Sequence, residues 1–238
     1  MNRSLAAASS LAIAGVLAVL GTVCGAAGLD HSKAQYTSMA PLKLYLMADR
    51  NSEIELARSA APESISKNAT VMVLGEHGYE TAVQGKNGFV CLVDRSWMAP
   101  AESPDFWNPK IRGPECLNPS AVRSILPITL KRTEMALAHK SKSQIIDGMK
   151  EAFAKNQMPP LEPGAMSYMM SKLAYLTDDD DHNMSHLMFY TSRTDPADWG
   201  ADLPHSPLTL VQFKGSQPID VLLVPMGKWS DGTPAPGE

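Results

Sequence analysis

Histidine and methionine alternate between residues 182 and 188, and both residue types ligate soft metal ions. In an extended strand, residues two apart lie on one face about 6.5 Å from each other, so His182, Met184, His186 and Met188 share a face. Imidazole and thioether ligands together suit Cu(I). His182 and His186 are about 13 Å apart on a straight strand, so only neighbours such as Met184 and His186 can share one ion. A copper site is one hypothesis, and packing of Met188 in the core is its alternative.

A second group of candidate residues lies in the proline-rich segment 95–116, which we predict to be a long ordered loop. Loops of more than about 15 residues inside compact domains are uncommon, and those that stay ordered often bind ligands. Aromatic faces beside cationic groups suit a ligand with an apolar body and an anionic end. We predict non-catalytic binding of a small molecule or a protein partner here; the alternative is that the aromatic side chains anchor the loop to a sheet. The candidate ligand-binding residues are Arg95, Trp97, Phe106, Trp107, Lys110 and Arg112.

Acid–base groups for an enzyme are found at Glu76, His77 and Glu80. Glu76 and His77 fall in a predicted hairpin turn, where polar residues are common for structural reasons. No G-x-S-x-G, P-loop or H-E-x-x-H motif occurs, so the usual hydrolase and nucleotide-binding signatures are absent. A hydrolase of unknown class is therefore a further alternative, and no cofactor is predicted apart from copper.

The chain has three cysteines, and their positions predict one disulfide. Cys24 belongs to the apolar N-terminal segment described next, which leaves Cys91 and Cys116. In an oxidising compartment a single remaining pair usually bonds. We predict a Cys91–Cys116 disulfide that closes a loop of about 25 residues.

The N-terminus reads as a secretory signal peptide, residues 1–27. Residues 5–29 carry no charge, Arg3 provides the positive end, and small residues precede a cleavage site near Ala27. The alternative is an uncleaved membrane anchor, because the uncharged stretch is long enough to cross a bilayer of about 30 Å. Cleavage predicts a periplasmic or secreted protein without stable membrane insertion.

Charge and size limit the remaining function classes. The net charge is −4, and no segment clusters lysine and arginine, which excludes a nucleic-acid partner. The length after cleavage predicts a single domain, residues 28–228. Residues 229–238, rich in Gly and Pro, are predicted to form a disordered tail.

The elements that must position these residues follow from hydrophobic periodicity and turn signals. Gly-containing turns predict a three-stranded meander over residues 69–93, with Asn87-Gly88 in its second hairpin. Residues 165–176 fit either a helix or a strand. This distribution predicts an α+β domain with a mostly antiparallel sheet from N- and C-terminal strands and a helical segment between them. The predicted helices cover residues 51–59, 120–126, 129–140 and 143–156, and the later strands 186–191, 208–213 and 219–224.

Four segments carry a resemblance to a known group of proteins: residues 85–93, 106–114, 163–166 and 186–190. They resemble an uncharacterised family of exported bacterial proteins. The resemblance covers most of the chain after the signal peptide. It implies export, and it implies no reaction, ligand or catalytic residue.

Overall fold

One eight-stranded sheet organises the part of the chain that the structure describes. The structure is a computed structural model, and it describes residues 36–178, 183–214 and 216–236. The predicted signal peptide and His182 lie outside these residues. The strand order is β2-β1-β3-β4-β5-β6-β8-β7. Every neighbouring pair is antiparallel except β1 and β3, which are parallel. The predicted α+β class with a mostly antiparallel sheet is confirmed.

The helices and strands follow the chain in an order close to the prediction. The helices are α1 (Arg50–Arg58), α2 (Glu63–Ser66), α3 (Pro119–Ser124), α4 (Leu126–Leu137) and α5 (Lys142–Ala154). The strands are β1 (Thr70–Gly75), β2 (Gly78–Val83), β3 (Val90–Asp94), β4 (Gly113–Leu117), β5 (Met166–Met169), β6 (His186–Ser192), β7 (Thr209–Gln212) and β8 (Ile219–Pro225). Short 3-10 turns cover Leu42–Leu44, Ser96–Met98 and Pro196–Trp199.

Side-chain caps fix where the helices begin. The Asp49 carboxylate accepts hydrogen bonds from the backbone N–H groups of Asn51 and Ser52, so Asp49 caps α1 and the helix begins at Arg50. Ser141 and Gln144 form a capping box at the start of α5. Pro119 occupies the first turn of α3, where its missing N–H removes no helical hydrogen bond.

The predicted meander is wrong at its second connection. β2 does pair with β1 through a hairpin, but β3 lies on the far side of β1 and runs parallel to it. The connecting residues return to the start of β1, where the Gly85 N–H donates to Thr70 Oγ1 at 3.0 Å and the Lys86 N–H to the Asn68 carbonyl at 2.8 Å. These bonds start β3 beside β1 instead of beside β2.

The two faces of the sheet are covered by different helices. α1 packs over β1, β3 and β4 on the face that carries Val71, Cys91 and Cys116. The opposite face carries Leu92 and Leu117 and is covered by residues of α3, α4 and α5, which form the larger part of the core. Among the described residues, no helix combines the length and apolarity needed to cross a membrane.

The Cys91–Cys116 disulfide is confirmed and lies under α1. The two cysteines are directly opposite each other in the antiparallel pair of β3 and β4, and both are fully buried. β4 itself was predicted as loop, because Pro114 and Glu115 interrupt its apolar pattern.

Residues 229–236, where the sequence predicts a disordered tail, fold back on the domain. The Trp229 side chain is 9% exposed. The Ser230 N–H donates to the Met170 carbonyl at 2.9 Å, and its hydroxyl donates to the Ser59 carbonyl at 2.6 Å. The segment is therefore ordered where the sequence predicts disorder. Burial of the large Trp229 side chain holds it on the domain despite the Gly and Pro residues around it.

Candidate ligand-binding cavity

A cavity of about 210 Å³ lies between α4 and the sheet face that this helix covers. Strands β3 to β6 and β8 form its floor, and residues of the 95–116 segment form part of its rim. Most of the wall is apolar, contributed by Ile125, Ile128, Met169, Met188, Phe213 and Val221.

Polar atoms without partners are concentrated on this wall. Six buried side-chain atoms of cavity residues find no hydrogen-bond partner among the described residues: Asp94 Oδ1, Ser96 Oγ, Thr129 Oγ1, Arg132 Nε, Arg132 Nη1 and Gln217 Oε1. Leaving a buried polar group unpaired costs about 1–3 kcal/mol. Their convergence on one cavity marks this cavity as the candidate site.

Two carboxyl groups are brought together on the cavity floor by strand alternation. In the β3–β4 pair, Leu92 lies opposite Glu115 and Asp94 lies opposite Gly113, so Asp94 and Glu115 are diagonal neighbours on one face. Cys91 and Cys116 point to the other face. The two carboxyl groups are close enough to share a proton through a hydrogen bond.

A hydrogen-bonded chain continues from this carboxyl pair across the sheet. The Tyr190 hydroxyl on β6 donates to Glu115 Oε1 at 2.5 Å. The Ser167 hydroxyl on β5 lies 3.1 Å from the Tyr190 hydroxyl. Burial, with the nearby Glu115 carboxyl, raises the pKa of Tyr190 well above its usual value, so its hydroxyl keeps its proton. Glu115 is therefore held by a neutral donor from a strand two places away.

The same surroundings favour the neutral form of Asp94. Burial is the main cause, and the Glu115 carboxyl adds to it; together they raise the pKa of Asp94 well above its usual range. The protonated form of Asp94 therefore persists to higher pH than that of an exposed aspartate.

Arg132 reaches the cavity from α4 and is 2% exposed. Its Nη2 donates to the Ala99 carbonyl at 2.7 Å, and its guanidinium lies 5.7 Å from the Phe106 ring centre and 6.0 Å from that of Phe213. Burial lowers the pKa of Arg132 to about 10, so the group stays charged at neutral pH. It forms no ion pair with the described residues.

Arg95 is the one predicted ligand-binding residue that lines the cavity, and its guanidinium is already occupied by protein groups. Its Nε donates to the Tyr45 carbonyl at 2.7 Å, its Nη2 pairs with Glu53 at 2.8 Å, and its Nη1 bonds the Val93 carbonyl. Glu53 also accepts a bond from the Leu74 N–H at 3.1 Å. This buried pair joins α1 to the end of β3.

The three aromatic residues of the same segment are buried in the core. Trp97 packs against Tyr45 with ring centres 5.1 Å apart, and its Nε1 donates to Thr133 Oγ1 at 3.0 Å. Phe106 and Trp107 make an edge-on contact at 4.8 Å. Their placement matches the alternative interpretation, in which aromatic side chains anchor the loop.

Lys110 and Arg112 lie outside the cavity wall. Lys110 Nζ donates to Asp178 Oδ1 at 2.9 Å. Arg112 donates to the carbonyls of Pro109 and Ile111, at 2.8 and 2.7 Å, and burial lowers its pKa to about 10. Both residues therefore hold the loop in place.

The His/Met segment contributes one residue to the cavity. Met188 lies on its wall, whereas His186 is 6% exposed with its Nδ1 2.7 Å from the Met184 carbonyl. Burial lowers the pKa of His186. Within the described ranges, no group of three or more His, Cys, Asp or Glu residues could hold a metal ion, and His182 lies outside them.

The three residues considered for acid–base catalysis lie away from the cavity. Glu76 and His77 form the exposed turn between β1 and β2. Glu80 is exposed on β2, the edge strand, and pairs with Arg50 of α1.

Sequence reasoning missed the four polar residues that define the site: Asp94, Glu115, Arg132 and Tyr190. One signal for the carboxyl pair was present. Two cysteines predicted to bond, each on an extended segment, place Asp94 and Glu115 together on the opposite face by simple alternation. Arg132 carries no comparable signal, because a Lys-Arg pair on a helix usually faces water.

Comparison with models of protein families, with curated proteins and with solved structures found no match to this chain.

Proposed function

We propose that this protein binds a small, mainly apolar molecule in the cavity beneath α4, without transforming it. The observation that carries the proposal is the set of six unpartnered polar atoms on an otherwise apolar wall. Small-molecule sites commonly combine apolar lining with a few converging polar groups.

The dimensions of the cavity limit the ligand. An apolar protein cavity of about 150 Å³ accommodates benzene. The volume here, about 210 Å³, suits a ring or chain of roughly eight non-hydrogen atoms by the same comparison. A protein partner is less well supported, because Trp97, Phe106 and Trp107 are buried and offer no surface for docking.

We also propose that the protein acts outside the cytoplasm, in the periplasm or as a secreted protein. The Cys91–Cys116 disulfide supports this, because such bonds persist in oxidising compartments. The apolar N-terminal segment supports it from the sequence.

Calorimetric titration with octanoate, octan-1-ol and octylamine tests the binding proposal. Ile128→Phe on α4 and Val221→Phe on β8 fill the cavity from opposite walls, and Leu203→Phe, at an exposed position, is the matched control. We expect at least one probe to bind the wild type and the control, and to lose at least about tenfold in affinity in both filled variants.

Circular dichroism establishes whether each cavity-filling variant folds. If only one of the two folds, that variant alone is enough for the test. Binding that survives the filling of the cavity would overturn the proposal. Failure of all three probes to bind the wild type would also overturn it.

A further inference from the structure

Arg132 is a buried cation that forms no ion pair with the described residues. Its only hydrogen bond to the described residues runs from Nη2 to the Ala99 carbonyl, and Nε and Nη1 remain without partners on the cavity wall. An isolated buried charge is costly unless it is paired and hydrogen-bonded. The contrast with Arg95 is direct, because that equally buried guanidinium pairs with Glu53.

No acidic side chain among the described residues forms an ion pair with Arg132. Asp94 faces it from β3 and interacts with its charge, but the Asp94 carboxyl is hydrogen-bonded to Glu115 of β4, and burial together with Glu115 favours its protonated form. Glu115 is bonded to the Tyr190 hydroxyl from β6. Asp105, on the rim, accepts bonds from the Asn108 side chain at 2.8 Å and from the Thr177 hydroxyl at 2.9 Å.

A hydroxyl donor stands beside the free guanidinium nitrogens. Thr129 precedes Arg132 by three residues on α4, so the two side chains lie next to each other on one helix face. Thr129 Oγ1 is buried on the cavity wall and has no partner among the described residues. Arg132 and Thr129 together offer one charged and one neutral donor to the same small volume.

We propose that the ligand is a small carboxylic acid with an apolar body, bound as its carboxylate by Arg132 and Thr129. This inference rests on the proposed function and names its ligand class. The apolar wall holds the body, and the Arg132 guanidinium, which forms no ion pair with the described residues, selects the anionic end. Asp94 is a positioning residue, because its protonated form places no second negative charge beside the carboxylate.

The arrangement gives binding a defined dependence on pH. As pH rises through the raised pKa of Asp94, that carboxyl ionises, compensates Arg132 and repels the carboxylate, so affinity falls. At low pH a carboxylate ligand itself takes up a proton, near the value of about 4.3 for a glutamate side chain. Octanoate should therefore bind best between these limits, whereas octanesulfonate, which stays ionised, should keep its affinity at low pH.

Probes with the same eight-carbon alkyl chain and different polar head groups test whether the site selects a negative charge. We expect octanoate to bind the wild type at least about tenfold more tightly than octan-1-ol, since a hydrogen bond to a charged group is stronger than one to a neutral group. Octylamine should bind more weakly than either. Octan-1-ol binding as tightly as octanoate would overturn the carboxylate inference and leave the binding proposal standing; no binding by any probe would overturn both.

Three variants assign the roles. Arg132→Gln should lower the affinity for octanoate at least about tenfold, because the charge is lost. The affinity for octan-1-ol should change less than about threefold. Thr129→Val, similar in shape, should weaken octanoate about three- to tenfold. Asp94→Asn, which stays neutral, should keep the octanoate affinity that the wild type has below the raised pKa of Asp94, and should abolish the loss of affinity above it.

Two results would overturn these roles. One is unchanged octanoate affinity in Arg132→Gln, and the other is an alkaline loss that persists in Asp94→Asn. If Arg132→Gln fails to fold, the pH profile of Asp94→Asn decides the question.

Discussion

Asp94 binds its proton more tightly in the folded protein than in the unfolded chain, which links it to stability. Its folded pKa is raised above the unfolded value of about 3.9. An acid with a raised pKa favours folding while it is protonated in both states. That contribution is lost as pH rises from about 4 through the folded pKa.

Asp94→Asn should therefore stabilise the unliganded protein at pH 7–8. The amide is neutral in both states and can still donate to Glu115, so the pH-dependent loss disappears. Thermal unfolding of both proteins from pH 4 to pH 8 measures this. The gain should shrink toward zero at pH 4, and an equal gain at every pH would contradict a titrating Asp94.

Arg132 should likewise lower the stability of the empty protein. Arg132→Met keeps much of the packing between Phe106 and Phe213 and removes an unpaired buried charge, so we expect the free energy of unfolding to rise by about 1 kcal/mol. Arg132→Lys is the control, because it keeps the charge and should bring no gain. Denaturant unfolding without ligand measures both variants, and a large loss in Arg132→Met would mean that the empty protein needs the cation.

At the scale of elements, the disulfide joins the two strands that carry the carboxyl pair. The bond closes a loop of 25 residues, which in the chain-entropy description stabilises the fold by about 3–4 kcal/mol. Cys91→Ala combined with Cys116→Ala should lower the free energy of unfolding by about that amount. Denaturant unfolding measures the loss. Titration of the denatured wild type without reductant should find neither cysteine free, and two free thiols would contradict the bond.

The connection between β2 and β3 depends on a close backbone approach at Gly85. A Cβ atom there would lie 2.1–2.6 Å from backbone atoms of residues 68–70, which is too close for any side chain. Gly85→Ala should therefore destabilise the protein by more than about 2 kcal/mol. Gly227→Ala is the matched control, because a Cβ atom there meets nothing within 4 Å. Equal melting temperatures for the two variants would show that the loop can move away from β1.

Local sequence patterns predicted most helices and strands. They failed where hydrogen bonds between distant residues determine which strands pair. Periodicity and turn residues placed four of the five helices and six of the strands close to their observed positions; the short helix α2 was not predicted. They missed β4, because Pro114 and Glu115 break its apolar pattern, and they paired β3 with β2, because a Gly-rich turn usually makes a hairpin. Hydrogen bonds from residues 85–87 to residues 65–70 override that local preference.

At the scale of the whole molecule, the fold class was predictable and the site was not. The distribution of strands and helices along the chain fixes an α+β architecture. The cavity, however, combines residues from β3, α4, β6 and β8, which are far apart in sequence. A local sequence pattern cannot predict that Arg132 and Asp94 line the same cavity.

The C-terminal residues pack against the domain, so their removal should lower the free energy of unfolding of the whole protein. Truncation after Lys228 removes the buried Trp229 and both Ser230 bonds, and we expect a loss of about 2–3 kcal/mol from the apolar burial alone. Truncation after Ala235 removes none of these contacts and is the control. Denaturant unfolding of both proteins separates them, and equal stabilities would restore the disordered-tail prediction.

The division of the cavity wall along the chain also bears on the stability of the folded protein. Asp94 and Arg132 come from its first part, while Tyr190 and Val221, from the later strands β6 and β8, complete the enclosure. On the proposed function, a molecule bound in the cavity contacts both parts of the chain, so its binding favours the folded state over the unfolded chain and raises the melting temperature in proportion to its concentration and affinity.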